Sequence, residues 1–228
     1  MSYRQNYLDI RQKCIESYDD SETQKYDGWI KTLTKVDHVA CLQDIQSHVP
    51  LLTGQKILDA GAGSGALCLA LSQVADLQIT ALEPCPAMIS LFKNRSELAD
   101  VKVVEGFCDH PSDSQLFEPS SFDVIASRQL TNTLFDPLAA FQNWQRWLKP
   151  EGKLVVIDGL YDRDAWTGKW SWAVDQLPLS ACRSTATVPY LLEQVGFNIE
   201  YAGPAVETNK LASTRTERYL VVASRSDA

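Results

Sequence analysis

The chain has 228 residues, 45% of them hydrophobic and 22% charged, with a formal net charge of -8. That is ordinary globular usage and enough chain to bury a sizeable core. It speaks against gripping a nucleic-acid backbone, which takes clustered Lys and Arg, and no apolar run reaches the ~18 to 20 residues of a membrane span, so a soluble, cytoplasmic protein is expected.

Residues 1–50 are polar and mixed, and Met1-Ser2-Tyr3-Arg4-Gln5-Asn6-Tyr7 starts no signal-peptide core. Tyr7, Ile10, Cys14 and Ile15, then Val36, Val39, Ala40 and Leu42, recur at helical spacing, which predicts two or three helices ahead of any strand. Asp19-Asp20-Ser21-Glu22 between them suits an exposed turn or a helix start. Ile57 to Ala60 is a short apolar run that stops at glycines, as a buried strand does before a tight turn. The spacing then predicts a helix over 66–74, a strand over 77–82, a helix over 86–98 with Pro86 in its first turn, and strands over 101–105 and 122–127. Asp136 and Pro137 are the N-cap and first residue of a helix through Leu148. Lys149-Pro150-Glu151-Gly152 reads as a turn and 153–158 as a fifth strand. In the tail, 188–195 reads as a helix and 197–201 and 218–223 as strands. No helix fits between those two strands, so they are expected to be antiparallel neighbours. Strands alternating with helices predict βαβ units and a parallel sheet.

The six cysteines, Cys14, Cys41, Cys68, Cys85, Cys108 and Cys182, are scattered without a CxxC pair, and His38, His48 and His110 form no HxH or HxxxH pattern. No metal site is expected, and the thiols fit a reducing compartment.

The chemistry concentrates at Asp59-Ala60-Gly61-Ala62-Gly63-Ser64-Gly65. Glycines belong where the chain takes positive φ or a ligand approaches the backbone. The helix start beyond them offers free N–H groups. Glu83 ends the next strand, where an open parallel sheet binds ligands, and its carboxylate can accept two hydrogen bonds from a ribose diol. The loop reads G-x-G-x-G with an acid two residues before the first glycine, whereas a dinucleotide site reads G-x-G-x-x-G.

That pattern resembles the first motif of class I S-adenosylmethionine (SAM)-dependent methyltransferases of the small-molecule type. The match runs from about residue 55 to 159 and more weakly to the C-terminus. It implies a Rossmann-like three-layer α/β sandwich with a seven-stranded, mostly parallel sheet of order 3-2-1-4-5-7-6, strand seven antiparallel, and extra N-terminal helices. One domain is expected over 1–228: a helical cap over 1–50, a SAM-binding core over 55–159, an insert or lid over 160–185, and a C-terminal helix and antiparallel hairpin over 186–228. The cofactor would be SAM, leaving S-adenosylhomocysteine.

The resemblance further implies that Asp59, Gly61, Ala62, Gly63 and Gly65 contact the amino-acid part of SAM and Glu83 the ribose, with Pro84 beside it. Met88 stands where apolar residues pack on adenine, or else is ordinary core. The usual G-D-A after strand three is here Gly106-Phe107-Cys108-Asp109. Phe107 holds the Asp position, with the Phe107 and Cys108 backbone left to line the pocket, unless the loop shifts and Asp109 substitutes. Ser127 and Arg128 close strand four at the crevice. Arg128 would pair with the cofactor, with a substrate carboxylate, or with solvent. No N-P-P-[YF] follows strand four, which takes weight from amide and nucleobase acceptors.

Tyr26-Asp27-Gly28-Trp29 resembles the family's Y-D-x-W segment, with Tyr26 reaching the SAM carboxylate and Trp29 covering the pocket. Trp166, Trp170 and Trp172 in the insert would form either an aromatic substrate lid or a minor core. Trp170 and Trp172 cannot both face one pocket in regular structure. Candidates for a general base are His38, His110, Asp158 and Tyr161, although methyl transfer from a sulfonium mainly needs alignment.

The expected function is methyl transfer to a small metabolite or natural product at O, N or C, by a monomer or homodimer. The alternatives are a SAM-binding regulatory subunit without turnover and an NAD(P)-dependent oxidoreductase.

Overall fold

The computed structural model describes residues 3–226. Met1, Ser2, Asp227 and Ala228, the outermost residues of the expected domain and of its polar N-terminus, lie outside them.

The chain begins with three helices, α1 (Tyr3–Ser17), α2 (Asp20–Thr32) and α3 (Lys35–Gln46). Asp19 starts α2 by accepting from Glu22 N at 3.0 Å, so the acidic stretch is a helix start. Asp37 reaches back to Thr34 N at 2.8 Å and starts α3. The α/β part then runs β1 (Lys56–Ala60), α4 (Ala66–Leu71), β2 (Gln78–Glu83), α5 (Pro86–Lys93), β3 (Lys102–Glu105), β4 (Phe122–Arg128), α6 (Pro137–Trp147) and β5 (Leu148–Gly159). After the insert, with its short α7 (Ala173–Gln176), come α8 (Thr187–Gln194), β6 (Phe197–Pro204), α9 (Val206–Asn209) and β7 (Arg218–Arg225).

The sheet has the order β3-β2-β1-β4-β5-β7-β6, with β7 antiparallel to both β5 and β6. Strand periodicity divides the core in two. Ile57, Val124, Ala126, Val155, Ile157, Leu220 and Val222 face a layer with Leu42, Ile45, Leu67, Leu71 and Phe92. Their neighbours Leu58, Ile125, Leu154, Val156 and Val221 face the other layer, with Phe141, Trp144, Trp147 and Leu192. Ile57 and Leu58 are both fully buried, which is why both faces of β1 are apolar at its centre.

Three expectations need correction. Residues 149–152 are not a free turn: β5 already pairs at Leu148 with Phe122, and the register shifts before Val124 meets Lys153. A bulge accommodates Pro150, and Lys149 Nζ bonds Asp123 Oδ1 at 2.7 Å. The helix expected over 86–98 ends at Lys93 and resumes as a 3-10 turn, Ser96–Leu98. A one-turn helix, α9, does separate the last two strands. It is capped from afar, by the Asp44 carboxylate on α3 accepting from Glu207 N and Thr208 N, each at 2.8 Å. No described helix is long and apolar enough to cross a membrane.

Candidate functional site

The strand order reverses between β1 and β4, and a parallel sheet opens a crevice at such a point. The glycine loop fills the β1 side. Gly61, Gly63 and Gly65 all take positive φ, 70°, 55° and 100°. Gly61 N and Ala62 N both donate to Leu82 O, at 2.8 and 3.0 Å, which ties the loop to β2. Glu83 stands beneath it: Oε2 accepts from Gly63 N and Oε1 from Cys85 N, each at 2.9 Å. Its burial raises the carboxyl to about 7, against the pull of those two N–H donors. Each oxygen keeps a lone pair for a further donor.

From the loop a cavity of about 640 Å³ runs out to the insert. Of the expected cofactor residues, Gly61, Gly63, Glu83, Pro84, Met88, Phe107, Cys108, Arg128 and Tyr26 line it, as do Trp29, Trp166 and Trp170 of the expected substrate residues. Asp59, Ala62, Gly65 and Ser127 do not. Asp59 is 1% exposed and accepts from Cys68 Sγ at 3.1 Å; burial lifts its carboxyl to about 6. Gly65 faces Phe92 of α5 and Leu98 of the 3-10 turn after it, and so lets the start of α4 pack closely against them. The Ser127 hydroxyl is buried in the sheet without a partner.

Among the general-base candidates only Tyr161 borders the cavity. His38 is half-buried on α3, and His110 stacks on Tyr7 with ring centroids 4.1 Å apart. Asp158 is committed elsewhere. It accepts from Gly159 N at 2.7 Å, Thr131 N at 2.9 Å and Thr131 Oγ1 at 2.6 Å, and so organises the turn after β4.

The Tyr26-Asp27-Gly28-Trp29 segment docks α2 onto the loop residue by residue. The Tyr26 ring lies against Gly63, where a Cβ would meet it at 3.5 Å. Desolvation holds its phenol at about 12, so it stays a donor at neutral pH. Asp27 is buried and pairs with Arg95, whose Nε donates to Ser64 O at 2.7 Å. Trp29 lies under the Arg128 guanidinium, 5.4 Å from its ring centroid.

On the other side α1 closes over the β3 loop. Arg11 sits 4.3 Å from the centroids of both Tyr7 and Phe107 and pairs with Asp109 and Asp113. Asp109 does border the cavity, but Arg11 Nη2 takes one oxygen and Phe135 N the other, each at 2.9 Å. Asp109, the substitute for the missing motif Asp, is thus held in an ion pair with α1.

The tryptophans divide as their geometry requires. Trp166 and Trp170 border the cavity. Trp172 stacks behind Trp170 at 5.9 Å and donates to Ser17 Oγ at 3.0 Å. All three also pack with Ile10, Ala173 and Leu177, so the two that border the cavity belong to a minor core as well.

Several lining residues carried no signal in the sequence. Gln129 takes a left-handed φ of 58° directly after β4, a strained conformation for a non-glycine residue. Asn132 borders the cavity with a buried Oδ1 that has no hydrogen-bond partner. Arg218 opens β7 opposite Gly159, where any Cβ would fall on its guanidinium.

Residues 58–156 match the family model described as a methyltransferase domain. Over those residues, less than half of its length, the chain is similar to methyltransferase domains, and its strand order is that of the class I SAM-dependent methyltransferase fold. The cofactor that goes with this domain is SAM. Among curated proteins it is similar to phosphoethanolamine N-methyltransferase 1 of Triticum aestivum, 27% identical over 185 residues, which are 80% of this chain and 34% of the relative. It is also similar to the ubiquinone biosynthesis O-methyltransferase of Neisseria meningitidis, 26% identical over 125 residues, 55% of this chain and 52% of that one. The chain thus spans about a third of the wheat relative and about half of the bacterial one. The fold is shared with a SAM-dependent methyltransferase from Aquifex aeolicus, at a TM-score of 0.66 and 19% identity over 90% of this chain and 98% of that one. It is shared too with a Haemonchus contortus phosphoethanolamine N-methyltransferase, at a TM-score of 0.59 and 18% identity over 82% and 52%.

Proposed function

We propose that this protein transfers a methyl group from SAM to a small-molecule acceptor held between α2, the insert and the end of β4. The observation that carries the reading is the continuity of the cavity. One space of about 640 Å³ joins the glycine loop and Glu83 to the aromatic wall of Tyr161, Trp166 and Trp170, and it falls within the ~300–1,000 Å³ of small-molecule sites.

The residues fit the cofactor. Gly61 leaves a cradle that a Cβ would fill against Leu130. Glu83 supplies a carboxylate for a diol, and the orphaned Asn132 Oδ1 an acceptor for an N–H. Met88 and Phe107 supply apolar wall, and Tyr26 and Arg128 supply donors for a carboxylate. SAM contributes a methyl carbon on a sulfonium leaving group. The chain's own part is to hold, align and dehydrate the partners. Trp29, Trp166 and Trp170 exclude water, and the Tyr161 hydroxyl is the one candidate base that borders the space. In this reading 1–50 is the cap, 55–159 the cofactor core, 160–185 the lid and 186–228 the closing hairpin of one domain. The relatives' names cover an N- and an O-methyltransferase, so the reading stops at methyl transfer to a small molecule.

Calorimetric titration with S-adenosylhomocysteine and with NAD, followed by SAM turnover against a metabolite panel, tests it. Binding of S-adenosylhomocysteine but not NAD, with turnover of at least one acceptor, is expected. Preference for NAD overturns the cofactor assignment, and cofactor binding with no turnover of any acceptor overturns the catalytic one.

A further inference from the structure

The cavity is lined by three arginines in an acidic protein. Arg128, Arg215 and Arg218 all border it, although the whole chain carries a formal charge of -8. Among the described residues none of the three forms an ion pair. The carboxylates that border the same space are occupied elsewhere. Asp109 is paired with Arg11, Glu22 with Lys25 at 3.4 Å, and Glu83 accepts from two backbone N–H groups.

Arg218 is positioned without being neutralised. Its Nη1 donates to Tyr161 Oη at 2.6 Å. The tyrosine proton is then free to point at the Gln129 amide 2.9 Å away, and with its oxygen turned inward that amide also accepts from Arg218 Nη2 at 2.9 Å. Both hydrogen-bond partners are neutral, and the carboxylate whose field it feels, Asp158, is already bonded to Thr131 and Gly159 N, so the guanidinium is fixed in place without an ion pair. Gly159 leaves the room that this arrangement needs. A guanidinium offers five N–H donors in a planar fork, and a second oxyanion-sized partner is the group that matches those still unused. The cofactor brings one carboxylate, which one arginine, Arg128 beside Trp29 and Tyr26, suffices to meet.

We infer that the methyl acceptor carries an anionic group, a carboxylate or a phosphate, recognised by Arg218 and Arg215. The inference rests on the reading of this cavity as the acceptor site. Specificity then comes from two ends: the aromatic insert encloses the body of the acceptor and the arginines take its charge. A neutral analogue leaves the fork unpaired in a partly dehydrated cavity, and that penalty sets the discrimination.

The test uses matched pairs of probes on the full chain saturated with S-adenosylhomocysteine: benzoate against benzamide, and phenyl phosphate against phenol. Tryptophan fluorescence reports binding, since Trp29, Trp166 and Trp170 border the cavity. At least one anion is expected to bind about tenfold or more tightly than its neutral counterpart, as a charge-assisted bond implies. Which anion wins separates a carboxylate acceptor from a phosphate one. Arg218→Gln should bring the pair close to parity, and Arg215→Gln, at an exposed position that leaves folding untouched, should narrow it. Affinity for S-adenosylhomocysteine is measured on each variant and should stay at the wild-type value, so loss of the acceptor assignment is read separately from loss of the cofactor site. Parity of both pairs in the wild type, no binding of either anion, or a preference that survives both substitutions together overturns the inference.

Discussion

Glu83 allows a quantitative test of the cofactor site. Its side chain is 6% exposed, and burial raises the carboxyl from 4.5 to about 7 although Gly63 N and Cys85 N both donate to it. Keeping it ionised at neutral pH therefore costs about 3 kcal/mol relative to water. A ligand diol that donates to this group favours the ionised form, so binding drives the proton off. Affinity for S-adenosylhomocysteine should accordingly fall about tenfold for each unit of pH below 7 and level off above it. Folding shows the opposite sign. The folded carboxyl holds its proton more tightly than the unfolded one, so the contribution of Glu83 to stability is greatest below about pH 4.5 and is lost as pH rises through 7. Calorimetry at about pH 6, 7 and 8, in buffers of different ionisation heat, counts the protons directly, and about half a proton should leave on binding at pH 7. Glu83→Gln should abolish this slope and weaken binding at pH 8 by ~1.5–3 kcal/mol. Asp59, itself lifted by burial to about 6, adds to the upward push on Glu83 and is present in both proteins, so the slope near pH 7 that the variant loses belongs to Glu83. A wild-type affinity that stays flat from pH 6 to 8, or a slope that persists in the variant, refutes the reasoning.

Three further outcomes follow from the packing. Alanine at Gly65 should destabilise by ~2 kcal/mol or more, because φ is 100° and its Cβ would meet Leu98 at 2.5 Å and Phe92 at 3.1 Å, while alanine at Gly63, with ordinary contact to Tyr26, should cost ~1 kcal/mol; equal melting temperatures would contradict this. Asp27→Asn leaves Arg95 without its buried partner and should cost ~3 kcal/mol in urea unfolding, and a loss near zero would show that the α2 anchor lies elsewhere. Trp170→Ala should raise the acceptor KM while leaving S-adenosylhomocysteine affinity unchanged. Trp172→Ala should instead lower stability by ~2 kcal/mol through lost packing and the lost bond to Ser17, with the acceptor KM unmoved, and identical kinetic behaviour of the two variants would argue against their opposite roles.

What the sequence by itself determined is what a few neighbouring residues encode. The short Ile57–Ala60 run, the alternating glycines, the Asp136-Pro137 helix start and the acid ending β2 are local facts of period, permitted φ and capping. They placed β1 to β4, the loop and Glu83 within a residue or two, whereas β5 begins already at Leu148 and β6 runs on to Pro204; the resemblance they carry supplied the strand order. The tertiary structure alone decided which side chains reach the cavity. Asp59 and Ser127 sit in the right strands but point into packed layers, because side chains alternate across a sheet and only one face of each strand end meets the crevice. Arg11 pairs with Asp109 from 98 residues away, Asp44 caps a helix 163 residues on, and Arg218 reaches Tyr161 only through the antiparallel register of β5 and β7. Such contacts depend on how distant segments are folded together, and no periodicity within one segment records the partner.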